Sequence, residues 1–454
     1  MRVSLIHKVH ASAYFNLNTG GEGTRGRKPP PSTASLLIFL AEGVNFTEKG
    51  LQYLKNKLSR KKLRVNKRYN YYEAKNSVEA VGKLIPDSYR NLSETLGWCG
   101  KAVDILADRI IFDCFDNDTF ELNEIYRLNN PDILFDSAIL SSLITSCSFI
   151  YIDRDKDDYP RMQVIDGGHA TGEIDPVTNL LTEGYAVIEC DKFDRPVIEA
   201  YLRPYQTDYY VNGRHEKVIM HKSPHPLLVP VINRPDARRP FGHSRISRPC
   251  MDIMQAALRT LLRSEVSAEF YSFPQKYILG LSDDAEFNGR ELSLEAFLSF
   301  GKDENSANPV VGQFSQQSMT PYMDQLRTLA SVFAGETGLT LDDLGFSSTN
   351  PSSSEAIRAA HENLRLTARK AQRTFGSGFI NAGYLASCIR DKFEYDRRAF
   401  ADTRALWMPV FEPDSAALAG IADGILKVNQ ALPGFLGEKN IRQLTGLRSD
   451  ANEL

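Results

Sequence analysis

His221 and His225 lie four residues apart, the spacing that on a helix aims two imidazoles at one metal. The intervening HKSPH contains Pro224, which breaks the helical face this would need. No metal is expected there. The glycine-rich GGHATG, residues 167–172, lacks both the lysine of a phosphate loop and the strand-to-helix setting of a dinucleotide fingerprint, and reads as a turn. Asp342 and Asp343 are paired carboxylates of the kind that serve acid/base chemistry or a metal-dependent nuclease, yet no third carboxylate or histidine in matching context stands beside them. A solvated loop accounts for them, as it does for the acidic run at residues 153–158. A nucleophile elbow is missing as well. The sequence therefore predicts no catalytic residue, no metal and no cofactor.

The six cysteines, Cys99, Cys114, Cys147, Cys190, Cys250 and Cys388, include no closely spaced pair for zinc or redox chemistry. Cys99, Cys147 and Cys388 fall in apolar stretches, where a thiol acts as a small hydrophobe, so reduced, buried thiols are expected. With 454 residues, 42% hydrophobic and 24% charged, the chain has the composition of a folded protein of two to four units. Its formal net charge of -3 disfavours a tight DNA binder, which gains affinity for each phosphate it neutralises. It is compatible with a conduit past which a duplex must slide. No apolar run approaches the length of about 18 residues needed to span a membrane. SLLIFLAEGV at residues 35–44 is too short, and the Gly/Pro-rich stretch before it is unlike a signal peptide's charged leader. Residues 1–49 are expected to be a disordered or mis-annotated leader.

The elements that would position any site follow from periodicity. Leu51, Leu54, Leu58 and Leu63 mark an amphipathic helix with a basic face expected to be solvated. A second helix is expected over residues 87–109, interrupted near Gly97 and Gly100, and a third over 131–146. Residues 149–222 alternate and carry turn residues, which predicts a meander of short strands. The four prolines of residues 226–244 predict an extended connector. Next comes a helix over 248–272 capped by Ser247, about 37 Å long at 1.5 Å per residue. A small mixed insert and a helix over 321–334 follow it. The small-residue loop 338–354 ends in a capping box, Ser352 with Glu355, that opens a long helix expected to bend at Gly376 and Gly378. That helix has a narrow apolar stripe, fit for a solvated helix or for packing between neighbours in a ring.

In this order, four stretches resemble the portal proteins of tailed bacteriophages, specifically those of actinobacterial siphophages and their prophages. They are YYEAKNSVEAVGKLIPDSYRNLSETLGWCGKAVDILADRI (71–110), VPVINRPDARRPFGHSRISRP (229–249), MDIMQAALRTLLRSEVSAEFYSFPQKYILG (251–280) and NPSSSEAIRAAHENL (350–364). The resemblance implies an α+β portal fold. Residues 50–246 would form a mixed wing, 247–272 the first stem helix, 273–318 a small α/β clip and 319–336 the second stem helix. Residues 337–352 would be the tunnel loop, 353–414 its supporting helix and return, and 415–454 a helical, crown-like end. Asp342, Asp343, Phe346, Ser347, Ser348, Thr349 and Asn350 would line the DNA channel, with Ser352 and Glu355 capping the helix behind them.

By the same resemblance, the chain is a non-enzymatic ring subunit, a dodecamer, at one vertex of the capsid, assembled in the host cytoplasm and retained in the virion. Its partners would be the terminase large subunit, head-completion or adaptor proteins, capsid and scaffold proteins, and double-stranded DNA passing non-specifically, with no membrane. The ring would serve genome packaging, retention, tail attachment and ejection. A loop with only Asp342 and Asp343 charged agrees, since a sliding duplex wants no fixed phosphate ladder. The alternatives are another head–tail adaptor protein of the virion and, more remotely, a metal-dependent nuclease.

Overall fold

The computed structural model describes residues 48–79, 94–272, 276–279, 310–313, 318–346, 359–411, 413 and 415–447. The chain divides into Met1–Thr47 and Glu48–Leu454, and all that follows concerns the second unit. The expected leader therefore lies outside the described residues, as does residues 80–93, most of the expected clip and the capping box at Ser352 and Glu355.

The fold is α+β. Helix α1, Leu51–Tyr72, buries Leu54, Leu58, Val65 and Tyr71, whereas Leu63, expected on the inner face, is 77% exposed. Its basic side is not simply solvated. Lys55 pairs with Glu199 at 2.8 Å, Lys57 with Glu173 at 2.6 Å and Lys62 with Asp194 at 2.5 Å, and Lys61 sits over the Phe149 ring. These acids come from strands and turns that α1 covers, which periodicity along α1 alone does not reveal. Gly50 gives the helix no side-chain cap, and the Glu183 carboxylate supplies one from far along the chain, accepting from the amides of Lys49 (2.9 Å) and Gly50 (3.1 Å).

Helix α2 spans Trp98–Ala107; of the second expected helix, residues 94–97 are not helical and residues 87–93 lie outside the described residues. Strand β1, Phe112–Asp116, helix α3, Leu122–Arg127, and helix α4, Pro131–Thr145, follow. The meander is found as expected. β4 (Ala170–Ile174), β5 (Leu181–Cys190), β6 (Pro196–Arg203), β7 (Gln206–Val211) and β8 (Arg214–Met220) form a five-stranded antiparallel sheet in chain order. The expected turn GGHATG ends inside β4, because Ala170 pairs with Ala186.

A second sheet has the order β3 (Pro160–Ile165), β2 (Cys147–Arg154), β9 (Leu228–Ile232). Strand β9 corrects the expectation of a bare connector, for it is buried throughout. Pro230 is tolerated because β9 is an edge strand, where a missing amide hydrogen breaks no second ladder.

Helix α5, Arg248–Ser272, matches its expected span, and the Ser247 hydroxyl accepts from the Cys250 amide at 3.3 Å as a cap. β10 (Lys276–Leu279) pairs with β11 (Val310–Gln313), and helix α6, Thr320–Thr337, returns alongside α5. Helix α7, Glu362–Arg390, is continuous, and almost every residue from Phe375 to Ile389 is buried within this one chain. It runs as one helix through Gly376 and Gly378, and from Phe375 onward it is not a solvated rod. An ideal Cβ on Gly376 would stand 2.8 Å from the Ala405 Cβ, and one on Gly383 2.8 Å from Leu122, so these glycines let neighbours approach. A 3₁₀ turn, Arg397–Phe400, leads to β12, Arg404–Trp407, which pairs with β1. Helices α8, Ser415–Ala431, and α9, Glu438–Thr445, end the described chain.

Gly376→Val is expected to destabilise the protein by about 2 kcal/mol through overpacking against β12. Gly420→Ala, where a Cβ meets nothing within 4 Å, should stabilise by about 0.5 kcal/mol or more. Urea unfolding midpoints of the two variants test the contrast.

Candidate functional site: the stem helices and the loop between α6 and α7

The two helices that flank the insert are joined at their inner ends. Arg245, three residues before α5, donates to the carbonyls of Ala102 (3.2 Å) and Thr337, the last residue of α6. A cation on the carbonyl end of a helix satisfies orphan acceptors and matches the helix dipole. Burial draws this guanidinium down to about 10, and its charge is retained at neutral pH. On α5, the Gln255 amide donates to the Tyr71 hydroxyl (2.9 Å) and the Ser77 carbonyl (3.0 Å), and accepts from the Glu79 amide (2.8 Å). Helix α5 is thereby tied to α1 and to the segment after it. Nothing in hydrophobic periodicity singles out Arg245 or Gln255, although a polar residue inside the apolar stripe of α5 is a readable signal for the latter.

Beyond α6, Gly338 takes a left-handed conformation (φ 68°) and ends the helix. Leu339 and Leu344 are buried and hold the base of the loop. The Asp343 carboxylate accepts from the Thr340 amide (2.8 Å) and hydroxyl (2.9 Å), and its carbonyl takes the Lys101 ammonium at 3.0 Å. His361 Nδ1 stands 3.8 Å from the same carboxylate. Phe346 packs edge-on against Trp98, with ring centroids 6.3 Å apart. Of the expected lining residues, Asp343 and Phe346 thus anchor the loop to the body, and Asp342 is exposed. Ser347, Ser348, Thr349 and Asn350 lie outside the described residues, as do Ser352 and Glu355. With its carboxylate engaged by Thr340, Asp343 is poorly disposed to act as half of a metal-binding dyad.

The other chemical candidates resolve into structural roles. His221 is buried, and its Nδ1 accepts from the Ser223 amide at 3.2 Å. Burial, helped by the charge of Arg154, brings this imidazole down to about 4. The unfolded chain, with an ordinary histidine near pH 6.5, takes the proton first. This contribution is therefore present above about pH 6.5 and lost as pH falls toward 4, by up to roughly 3 kcal/mol. His221→Gln should flatten the fall in unfolding midpoint across that window, and an unchanged slope would contradict the assignment.

A group that the motif search passed over is His169, Cys190 and Asp194, whose donor atoms lie within 4.8 Å of one another. His169 Nδ1 meets Asp166 at 2.5 Å and its Nε2 meets Asp194 at 3.0 Å, while Lys62 already holds Asp194 at 2.5 Å. The hydrogen bond to Asp166 raises the His169 pKa, and burial raises that of the Cys190 thiol. The result is an ion-pair brace between α1 and the five-stranded sheet. The cysteines are free, and burial pushes the Cys388 thiol up to about 11, which keeps it protonated and inert.

Comparison with known proteins finds similarity to portal proteins of two phages. No family model matches the sequence. The portal protein of Mycobacterium phage L5 is 26% identical over 338 residues, covering 70% of this chain and 69% of that protein. The portal protein of Mycobacterium phage D29 is 25% identical over 337 residues, 70% of each chain. Among solved structures, a chain of the virion of a native gene transfer agent particle aligns at 14% identity with a TM-score of 0.44, covering 92% of this chain and 99% of that one. A chain of the neck of the native particle, computed with C12 symmetry, aligns at 15% identity with a TM-score of 0.44, covering 77% and 90%. At those scores the fold is best described from the chain's own elements. Its sequence, alignable over two thirds of their length with two such proteins, makes the chain a relative of the portal proteins of actinobacterial tailed phages.

Proposed function

We propose that the chain is a portal subunit, a non-enzymatic component of a closed ring through which double-stranded DNA enters and leaves a phage capsid. The observation that carries this beyond sequence similarity is the pairing of α5 and α6. They are two long helices, locked together at one end by Arg245 and Ser247, with the β10–β11 pair at the other and a loop leading from α6 into the buried helix α7. Along α6, Met323 and Val332 remain 56% and 53% exposed, which suits a rod that meets a neighbouring subunit. Head-to-tail contacts whose rotation closes give a cyclic oligomer, and the ring is taken as a dodecamer from the family resemblance.

In that ring residues 273–318 form the clip that meets the terminase and, later, the head-completion or adaptor proteins. Asp342 and Ser347 to Asn350 face the channel, while the Asp343 carbonyl and Phe346 hold the loop to the wing through Lys101 and Trp98. Hydroxyl and amide groups without cations give the weak phosphate contact that sliding requires. Residues 415–454 form the end that lies inside the head with the capsid and scaffold proteins. The protein resides in the virion after assembly in the host cytoplasm. Electron microscopy of the purified protein tests the proposal: rings with an axial hole that admits a duplex support it, and a uniform population of compact monomers overturns it.

A further inference from the structure

The solvent stripe of α7 is cationic where the helix enters the core. Arg369, Lys370, Arg373 and Ser377 are exposed at steps of three and four residues, while the positions around them are buried or half-buried. Nearer the start of the helix Arg365 has an acidic partner in Glu362, at 2.5 Å, but no Asp or Glu follows on the helix until its end. Arg369 and Arg373 are like charges four residues apart, an arrangement that costs a few tenths of a kcal/mol in an isolated helix. In a chain with 57 acidic and 54 basic residues, this segregation is not a matter of composition.

Two clefts flank the stripe and share Arg373 and Ser377. The first, about 480 Å³, adds Arg234, Lys370, Thr374 and Asn381. The second, about 690 Å³, adds Arg369, Arg397, Arg404 and Thr403. Among the described residues lining either cleft there is no carboxylate. Arg234, Lys370 and Arg373 make no side-chain hydrogen bond or ion pair with any described residue. The nearest acid by pairing is Asp116, opposite Arg404 in the β1–β12 ladder. Arg397 is held in place by a neutral acceptor, Asn381 Oδ1, at 2.7 Å. Six cations therefore converge on two connected clefts, and three of them have no partner among the described residues.

Guanidinium forks with hydroxyl and amide donors between them are the groups that hold phosphate oxygens. A single small anion would use one such cradle. Three cations within about 6 Å of helix, with Arg234 in one flanking cleft and Arg397 and Arg404 in the other, match several phosphates instead. We propose that the two clefts form one site for the phosphodiester backbone of duplex DNA, held through its phosphates without reading of bases. The identity of the polyanion rests on the portal function proposed above, whereas the charge arrangement does not. The site differs from residues 338–354, which carry no cation and are proposed above to let DNA slide.

The test uses the full-length oligomer and a fluorescent duplex of about 20 base pairs, titrated by anisotropy from about 50 to 200 mM salt. The wild-type protein should bind with a steep salt dependence, and Lys370→Glu/Arg373→Glu should weaken binding at least tenfold and lower the slope by about 2. Lys370→Gln/Arg373→Gln, which adds no negative charge, should lower the slope in the same direction. Equal affinity and slope in wild type and both variants would overturn the site. So would polyglutamate displacing the duplex at equal charge, which assigns the clefts to an acidic protein segment, or inorganic phosphate saturating them without any binding of duplex. Images of the same samples separate the two proposals. Rings that bind no duplex refute the site and leave the ring standing, whereas duplex bound by monomers refutes the ring and leaves the site.

Discussion

Removing residues 347–350 and closing the gap with a short glycine linker is expected to leave ring assembly intact and to reduce infectious titre by orders of magnitude. The base of the loop survives the deletion, because Leu339, Leu344 and Phe346 are packed into the body and Asp343 is fixed by Thr340. The stem also survives, since Arg245 clasps the end of α6 outside the deleted segment. Only the part proposed to face the duplex is lost. Particles carrying the variant should contain the ring but little or no genome, as measured by the DNA content of purified capsids. Normal titre and full heads would remove the loop from the channel and with it the assignments of Asp342 and Ser347 to Asn350.

Phe379→Ala is expected to be the most destabilising single substitution in the described core, by about 3 to 5 kcal/mol. Phe379 is fully buried on α7 at the centre of an aromatic cluster. Its ring centroid lies 4.6 Å from that of Phe135, 5.9 Å from Phe112 and 6.1 Å from Trp407. Its carbonyl accepts the Tyr126 hydroxyl at 2.7 Å. Truncation would strip partners from α4, β1 and β12 at once, and a cavity bounded by three elements cannot collapse cheaply. Denaturant unfolding should move its midpoint strongly with little change in slope, and a shift of less than about 1 kcal/mol would mean that α7 is not the central support.

These expectations turn on features that the sequence reveals unequally. The strands of the meander and the span of α5 are legible because alternation and three-to-four spacing are local, and Ser247 announces its helix in the usual way. Leu63 misleads because a leucine in phase with its neighbours looks inward until the partner surface is known. The lysines of α1 look solvated because Glu173, Asp194 and Glu199 are more than 100 positions away. Gly376 and Gly378 suggest a bend to local reasoning, yet they lie against Ala405 and Val231, which only the tertiary fold brings near. Pro230 points away from a strand, but the edge position of β9 removes the penalty. Within the candidate site, the spans of α5 and α6 are readable from pattern. The roles of Arg245, Gln255 and the clefts along α7 need coordinates, because each depends on which carbonyls or cations converge.

The most direct measurement is a density map of the purified oligomer at a resolution that resolves helices. The account predicts a cyclic ring in which α5 and α6 stand beside the same pair of the next subunit, with the segment between Phe346 and α7 at the narrowest point of the axial hole. A ring with that segment on its outer rim, or a particle with α5 and α6 wholly enclosed by their own chain, would contradict it.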